Sequence, residues 1–159
     1  MKCFDDRGVR HHSSKLYVGD YMSFDNPRLI IDRKQNLNEL YQNLCHQHKR
    51  FKDELIRANE AGIKLIILIE HGGKIKSLED VKLWDNPRLE KNPFAWNGMR
   101  MYKVMLTTGQ KYGIEYVFCT KNKTGEKILE ILSEKNQNEV IEHVKLCDNG
   151  GTVNARPRA

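Results

Sequence analysis

The chain has 159 residues, 39% of them hydrophobic and 30% charged, which allows one globular domain with a real core and excludes a fibrous or low-complexity polypeptide. A formal net charge of +6 suits a polyanionic partner and has the wrong sign for a protein that mimics nucleic acid. The longest apolar run, Leu65 to Ile69, is too short to span a bilayer, and four widely spaced cysteines without a C-x-x-C pair read as reduced thiols rather than a disulfide framework or zinc site.

The opening MKCFDD has no apolar core of the signal-peptide type, so a cytoplasmic setting is expected. Val9 to Val18 holds strand-forming residues interrupted by HHSS. Asp25-Asn26-Pro27 signals a turn, because proline presets φ and Asx side chains close local turns. Arg28 to Lys34 resumes as a branched, strand-like run, so Leu16 to Lys34 reads as a β-hairpin.

The apolar spacing of Leu37, Leu40, Tyr41, Leu44, Phe51 and Leu55 predicts one amphipathic helix. Asn36 with Glu39 three residues later forms a capping box at its start, and Gly62 stops it. Ile63 to Glu70 is a near-continuous apolar run, which reads as a buried strand. A helix followed by such a strand implies a parallel crossover, hence an α/β fold with a mixed central sheet flanked by helices.

Residues 71–97 read as a loop-rich stretch with a short helix near Leu78 to Trp84. A helix over Gly98 to Tyr112 stopped by Gly113, a strand over Ile114 to Cys119, and a helix over Thr124 to Ser133 capped by Thr124 complete the fold. The domain is assigned to residues 1–147, with 148–159 (DNGGTVNARPRA) as a disordered tail.

The hairpin carries the chemistry. Alternation puts Asp32 and Lys34 on one face of their strand and Arg33 on the other. With the turn centred on Asn26, Asp20 and Asp32 are equidistant from it and fall opposite each other, with Cβ atoms roughly 5 Å apart. Two facing carboxylates repel unless a cation lies between them, and oxygen ligands suit Mg²⁺ or Mn²⁺. Lys34 beside them is placed to orient a water or stabilise charge on a phosphate. A solvated surface hairpin is the competing reading of the same residues.

Gly19-Asp20-Tyr21 followed by Asp32-Arg33-Lys34 resembles the GDx(n)ERK motif of XPF-type nucleases, a branch of the restriction-endonuclease-like superfamily. The following helix, with Arg50-Phe51 near its middle, and the strand ending Leu68-Ile69-Glu70 resemble the family's next elements in order. The resemblance implies metal-dependent cleavage of DNA, often at branched or flap structures, and no small-molecule organic cofactor is expected. A lone domain without a helicase or helix-hairpin-helix partner suggests, by analogy, a bacterial or phage-infected cell. It implies Asp20 and Asp32 as metal ligands and Lys34 as the third catalytic residue. Glu39, Arg50 and Glu70 are accessory candidates, and Arg33 and Lys49 are candidate DNA contacts. Domains of this type commonly pair, which directs attention to the helix from Gly98 and the strand after it as a homodimer interface.

Three departures accompany the resemblance. Asp32 stands where the family usually has Glu. Asn38 stands four residues after the motif lysine, where an acid is usual, with Glu39 as its neighbour. The family's first strand, carrying an acid-x-arginine motif, has no counterpart, since MKCFDDRGVR resembles the end of the helix that follows that strand. These departures leave open a catalytically deficient nucleic-acid-binding protein on the same scaffold. Outside the hairpin, Trp84, Phe94 and Trp96 among Lys82, Arg88 and Lys91 read as base-stacking aromatics or, in preference, as anchors that hold the loop.

Overall fold

A computed structural model describes residues 2–133. Four strands form one sheet in the order β1-β2-β3-β4: Tyr21–Met22, Leu29–Lys34, Lys64–Glu70 and Glu115–Cys119. β1 runs antiparallel to β2, whereas β2, β3 and β4 are mutually parallel. The sheet is therefore mixed, as the helix-then-strand pattern requires, because parallel neighbours need a crossover.

Helix α1 spans Lys2–Asp6, α2 Leu37–Cys45, α3 His48–Glu60 and α4 Gly98–Tyr112, and residues 124–133 are helical. Short 3-10 turns occupy Glu79–Leu83, Pro87–Glu90 and Lys121–Lys123. Strand alternation divides the core into two layers. Ile30, Ile67 and Ile69 face α2, α3 and α4 through Leu40, Phe51, Leu55, Met101 and Met105. Leu29, Ile31, Ile66 and Leu68 face the other way, onto Phe4, Ile128 and Ile131.

Four expectations need correction. The single helix expected from Leu37 to a stop at Gly62 is two helices, parted at His46 and Gln47, whose backbone N–H groups both donate to the Gln42 carbonyl at 2.9 Å. No glycine or proline marks that break, and the Leu44-to-Phe51 spacing keeps helical phase across it. The first arm of the hairpin is only the two residues of β1, because residues 17–20 bend and Gly19 adopts a left-handed φ of +62°. Val9 to Val18 forms no strand, although Val18 is buried in the core. Thr124 is not a cap for the helical residues 124–133: it is itself helical, and its hydroxyl donates to Glu70 Oε1 at 2.6 Å.

The α4 boundaries agree with the sequence reading, with Asn97 Oδ1 accepting from the Arg100 N–H at the start and Gly113 in the left-handed region at the end. Cys3, Cys45 and Cys119 are free thiols. No helix among the described residues is long and apolar enough to cross a membrane. The proposed tail from residue 148 lies outside the described residues.

Candidate active site

The β1–β2 register pairs Tyr21 with Ile31 and Met22 with Ile30. Extended by one residue, it sets Asp20 opposite Asp32, and the Asp20 N–H donates to the Ile31 carbonyl at 2.8 Å. Asp20 is exposed and its Oδ2 accepts from the Arg33 backbone N–H at 2.8 Å, which ties its carboxylate to β2. Asp32 and Lys34 are buried, at 5% and 8% exposure. Lys34 Nζ donates to Asp32 Oδ1 at 3.1 Å and lies 2.8 Å from Oδ2, with Phe51 beneath it at 5.4 Å from the ring centroid.

Burial pushes the Asp32 carboxyl up to about 6. Lys34 opposes that shift, and the Asp20 and Glu54 carboxylates add smaller upward pushes. Asp32 Oδ2 touches the ammonium but accepts no properly oriented hydrogen bond, so a buried carboxylate oxygen keeps a lone pair in hand. That oxygen and the facing Asp20 carboxylate are hard donors of the kind Mg²⁺ or Mn²⁺ takes, typically one or two carboxylates with water completing the shell. Among the described residues no three His, Cys, Asp or Glu side chains form a ready cage. The pair thus fits a cation that keeps much of its water.

Glu54 is a residue that sequence reasoning missed. From α3 its Oε1 accepts from the Gly19 N–H at 3.1 Å, across 35 positions of chain. It thereby holds the bend that presents Asp20. Only a helix-facing acid at a half-buried position could have drawn attention to it, and no local pattern links it to Gly19.

The other candidates disperse. Arg33 and Glu70 lie on the opposite face of the sheet from Asp32 and Lys34, as strand parity dictates. There the Arg33 guanidinium grips Glu70 at 2.6 and 3.1 Å, with Thr124 as a third partner of the carboxylate. These bonds, led by that from Arg33, hold the Glu70 carboxyl below its usual range. Glu39 completes the capping box: its N–H donates to Asn36 Oδ1 at 2.9 Å and its Oε2 accepts from the Gln35 N–H at 2.7 Å. Asn38 Oδ1 accepts from Arg88 Nε at 3.0 Å, and that guanidinium stands 5.7 Å from the Tyr41 ring centroid. Lys49 and Arg50 are exposed near the start of α3. Trp84 and Trp96 pack near Tyr41 as loop anchors, whereas Phe94 is 86% exposed.

A mixed sheet flanked by helices, with facing carboxylates and a lysine on the strand beside the first crossover, defines a nuclease-type domain of the restriction-endonuclease-like superfamily. Residues 1–132 match the family model of the ERCC4 domain, and the chain belongs to that family of nuclease-type, DNA-processing domains. The structure is similar to that of XPF from Aeropyrum pernix, with a TM-score of 0.59 and 19% identity, covering 96% of this chain and 68% of that one. No curated protein sequence matches.

Proposed function

We propose that this domain is a divalent-metal-dependent endonuclease that hydrolyses phosphodiesters in duplex, branched or flap DNA. The observation that carries the reading is the facing pair Asp20 and Asp32, with Lys34 buried against Asp32 and in ionic contact with both of its oxygens. Asp20 and Asp32 would hold Mg²⁺ or Mn²⁺. Such a cation lowers the pKa of a bound water and polarises a phosphoryl oxygen. Asp32 must be ionised to bind it, and the adjacent ammonium favours that form. Lys34, held beside Asp32, would place its ammonium where it stabilises negative charge developing on a phosphate. Gly19 and Glu54 hold Asp20 in place.

Labelled linear, flap and four-way DNA incubated with Mg²⁺ or Mn²⁺ tests this. Cleavage is expected, and both a chelator and Asp32→Ala should abolish it. Lys34→Ala should lower the rate by on the order of 10²–10³-fold, the usual loss of one charge-stabilising donor. DNA binding without cleavage by the native chain would overturn the enzyme reading.

A second reading, a DNA-binding protein with little cleavage, draws on Asn38, which stands at the place of an expected acid and bonds to Arg88. Pairing of two copies through α4 and β4 belongs to either reading. β4 is the last strand of the described sheet, and Met99 at the start of α4 is 45% exposed.

A further inference from the structure

The parallel strands β2, β3 and β4 all end at one edge of the sheet. In open α/β sheets, ligands meet the loops that leave this carboxyl edge. At β2 the edge is Lys34, within the candidate active site. From β3 the chain leaves through His71, Gly72, Gly73 and Lys74, and from β4 through Thr120 to Lys123. Between these two exits lies a cavity of 430 Å³ whose charged lining is Lys76, Lys123 and Lys127 together with Glu126 and Glu130.

The acids near this edge are engaged. Arg7 holds Glu126 at 2.8 Å, Lys127 holds Glu130 at 2.7 Å, and Arg33 holds Glu70 at 2.6 Å. Lys74, Lys121 and Lys123 are exposed and form no ion pair among the described residues. Gly72 and Gly73 present bare backbone between them, and a Cβ at either would meet open space. A polyanion can approach that turn closely.

We infer that the carboxyl edge is a phosphate track. The sugar-phosphate backbone of a DNA duplex runs from Asp32 and Lys34 past the Gly72-Gly73 turn to Lys121 and Lys123. Two strand spacings separate β2 from β4, roughly 10 Å, which matches about three base-pair steps of duplex. The lysines therefore meet phosphates a few nucleotides from the bond held at the carboxylates. The placement of the cut relative to the track rests on the nuclease reading; the binding itself does not.

Binding of the full chain to a labelled duplex, measured by anisotropy against NaCl in EDTA, tests the track without requiring cleavage. Lys121→Ala/Lys123→Ala is compared with Lys103→Ala/Lys111→Ala, which removes the same charge from α4. Because these lysines are exposed, both variants should unfold at the native temperature, checked by thermal melts. The track requires the slope of log K against log [NaCl] to fall in magnitude by about 2 for the first pair and to stay unchanged for the second. Equal losses from both pairs, no change from the first, or no DNA binding at all would overturn it. Cleavage by the native chain, run in parallel, tests the nuclease reading separately: binding that loses its slope without any cleavage sinks that reading and leaves the track standing.

Discussion

At the scale of single residues, the site depends on which charges share a face of the sheet. Arg33 sits between Asp32 and Lys34 in sequence, yet its guanidinium is on the other side, locked to Glu70. Glu70→Gln should cost about 2–3 kcal/mol in urea unfolding, below the usual cost of breaking a fully buried pair because Arg33 is 31% exposed. The sign of its pH dependence follows from the lowered Glu70 carboxyl. A carboxyl held below its unfolded value stabilises the fold fully above that value, near 4.3, and loses the contribution as pH falls through the folded one. The native–variant gap should therefore be widest near neutral pH and close in acid; a gap that widens below pH 4 would contradict the pairing. Glu54 allows a sharper separation of charge from geometry. Glu54→Gln keeps an oxygen for the Gly19 N–H and should retain most cleavage, whereas Glu54→Ala should lose roughly 10-fold or more, as supporting partners of metal ligands do. Equal losses in both variants would instead mean that the negative charge of Glu54 is what matters.

Among the elements, two glycines decide how pieces dock. Gly19 combines a φ of +62° with a close approach, since a Cβ there would stand 2.6 Å from Ile30 Cγ2 and 3.1 Å from the Ile31 carbonyl oxygen. Gly19→Ala should cost about 2–4 kcal/mol by adding left-handed strain to a steric clash, and should reduce cleavage by displacing Asp20. Gly98 opens α4 where the helix meets the 3-10 turn Glu79–Leu83, and a Cβ there would lie 2.6 Å from the carbonyl oxygens of Val81 and Lys82. Gly98→Ala should cost about 1–3 kcal/mol through overpacking, read as a lower urea midpoint with unchanged slope. Boundaries set by local chemistry were legible in the sequence: Asn36 with Glu39 starts α2, and Gly113 ends α4. The break between α2 and α3 was not, because it rests on a shared carbonyl at Gln42 rather than on a glycine or proline.

For the whole molecule, one sheet separates two chemistries. The face toward α2 and α3 carries Asp32 and Lys34, while the face toward α1 and residues 124–133 carries the Arg33–Glu70–Thr124 network. The positive charge of the chain is unevenly placed: lysines gather where β3 and β4 end, beside the end of β2 that carries Asp32 and Lys34. If α4 and β4 pair two copies, sedimentation should show a dimer at micromolar concentration, and Met99→Lys should shift it toward monomer. A monomer at all accessible concentrations would exclude that interface.

The sequence by itself determined the alternation, the caps and the turn centre. From these came the α/β class, the parallel crossover, the opposition of Asp20 and Asp32, and the face that Lys34 shares with Asp32. Each depends only on residues near in sequence, where a period of two or a capping side chain is enough. The tertiary structure decided which distant groups meet: Glu54 with Gly19, Glu70 with Arg33 and Thr124, Asn38 with Arg88. Those pairs are 35 to 54 positions apart, and they form because packing of helices on the sheet brings the groups together. No local periodicity carries that information.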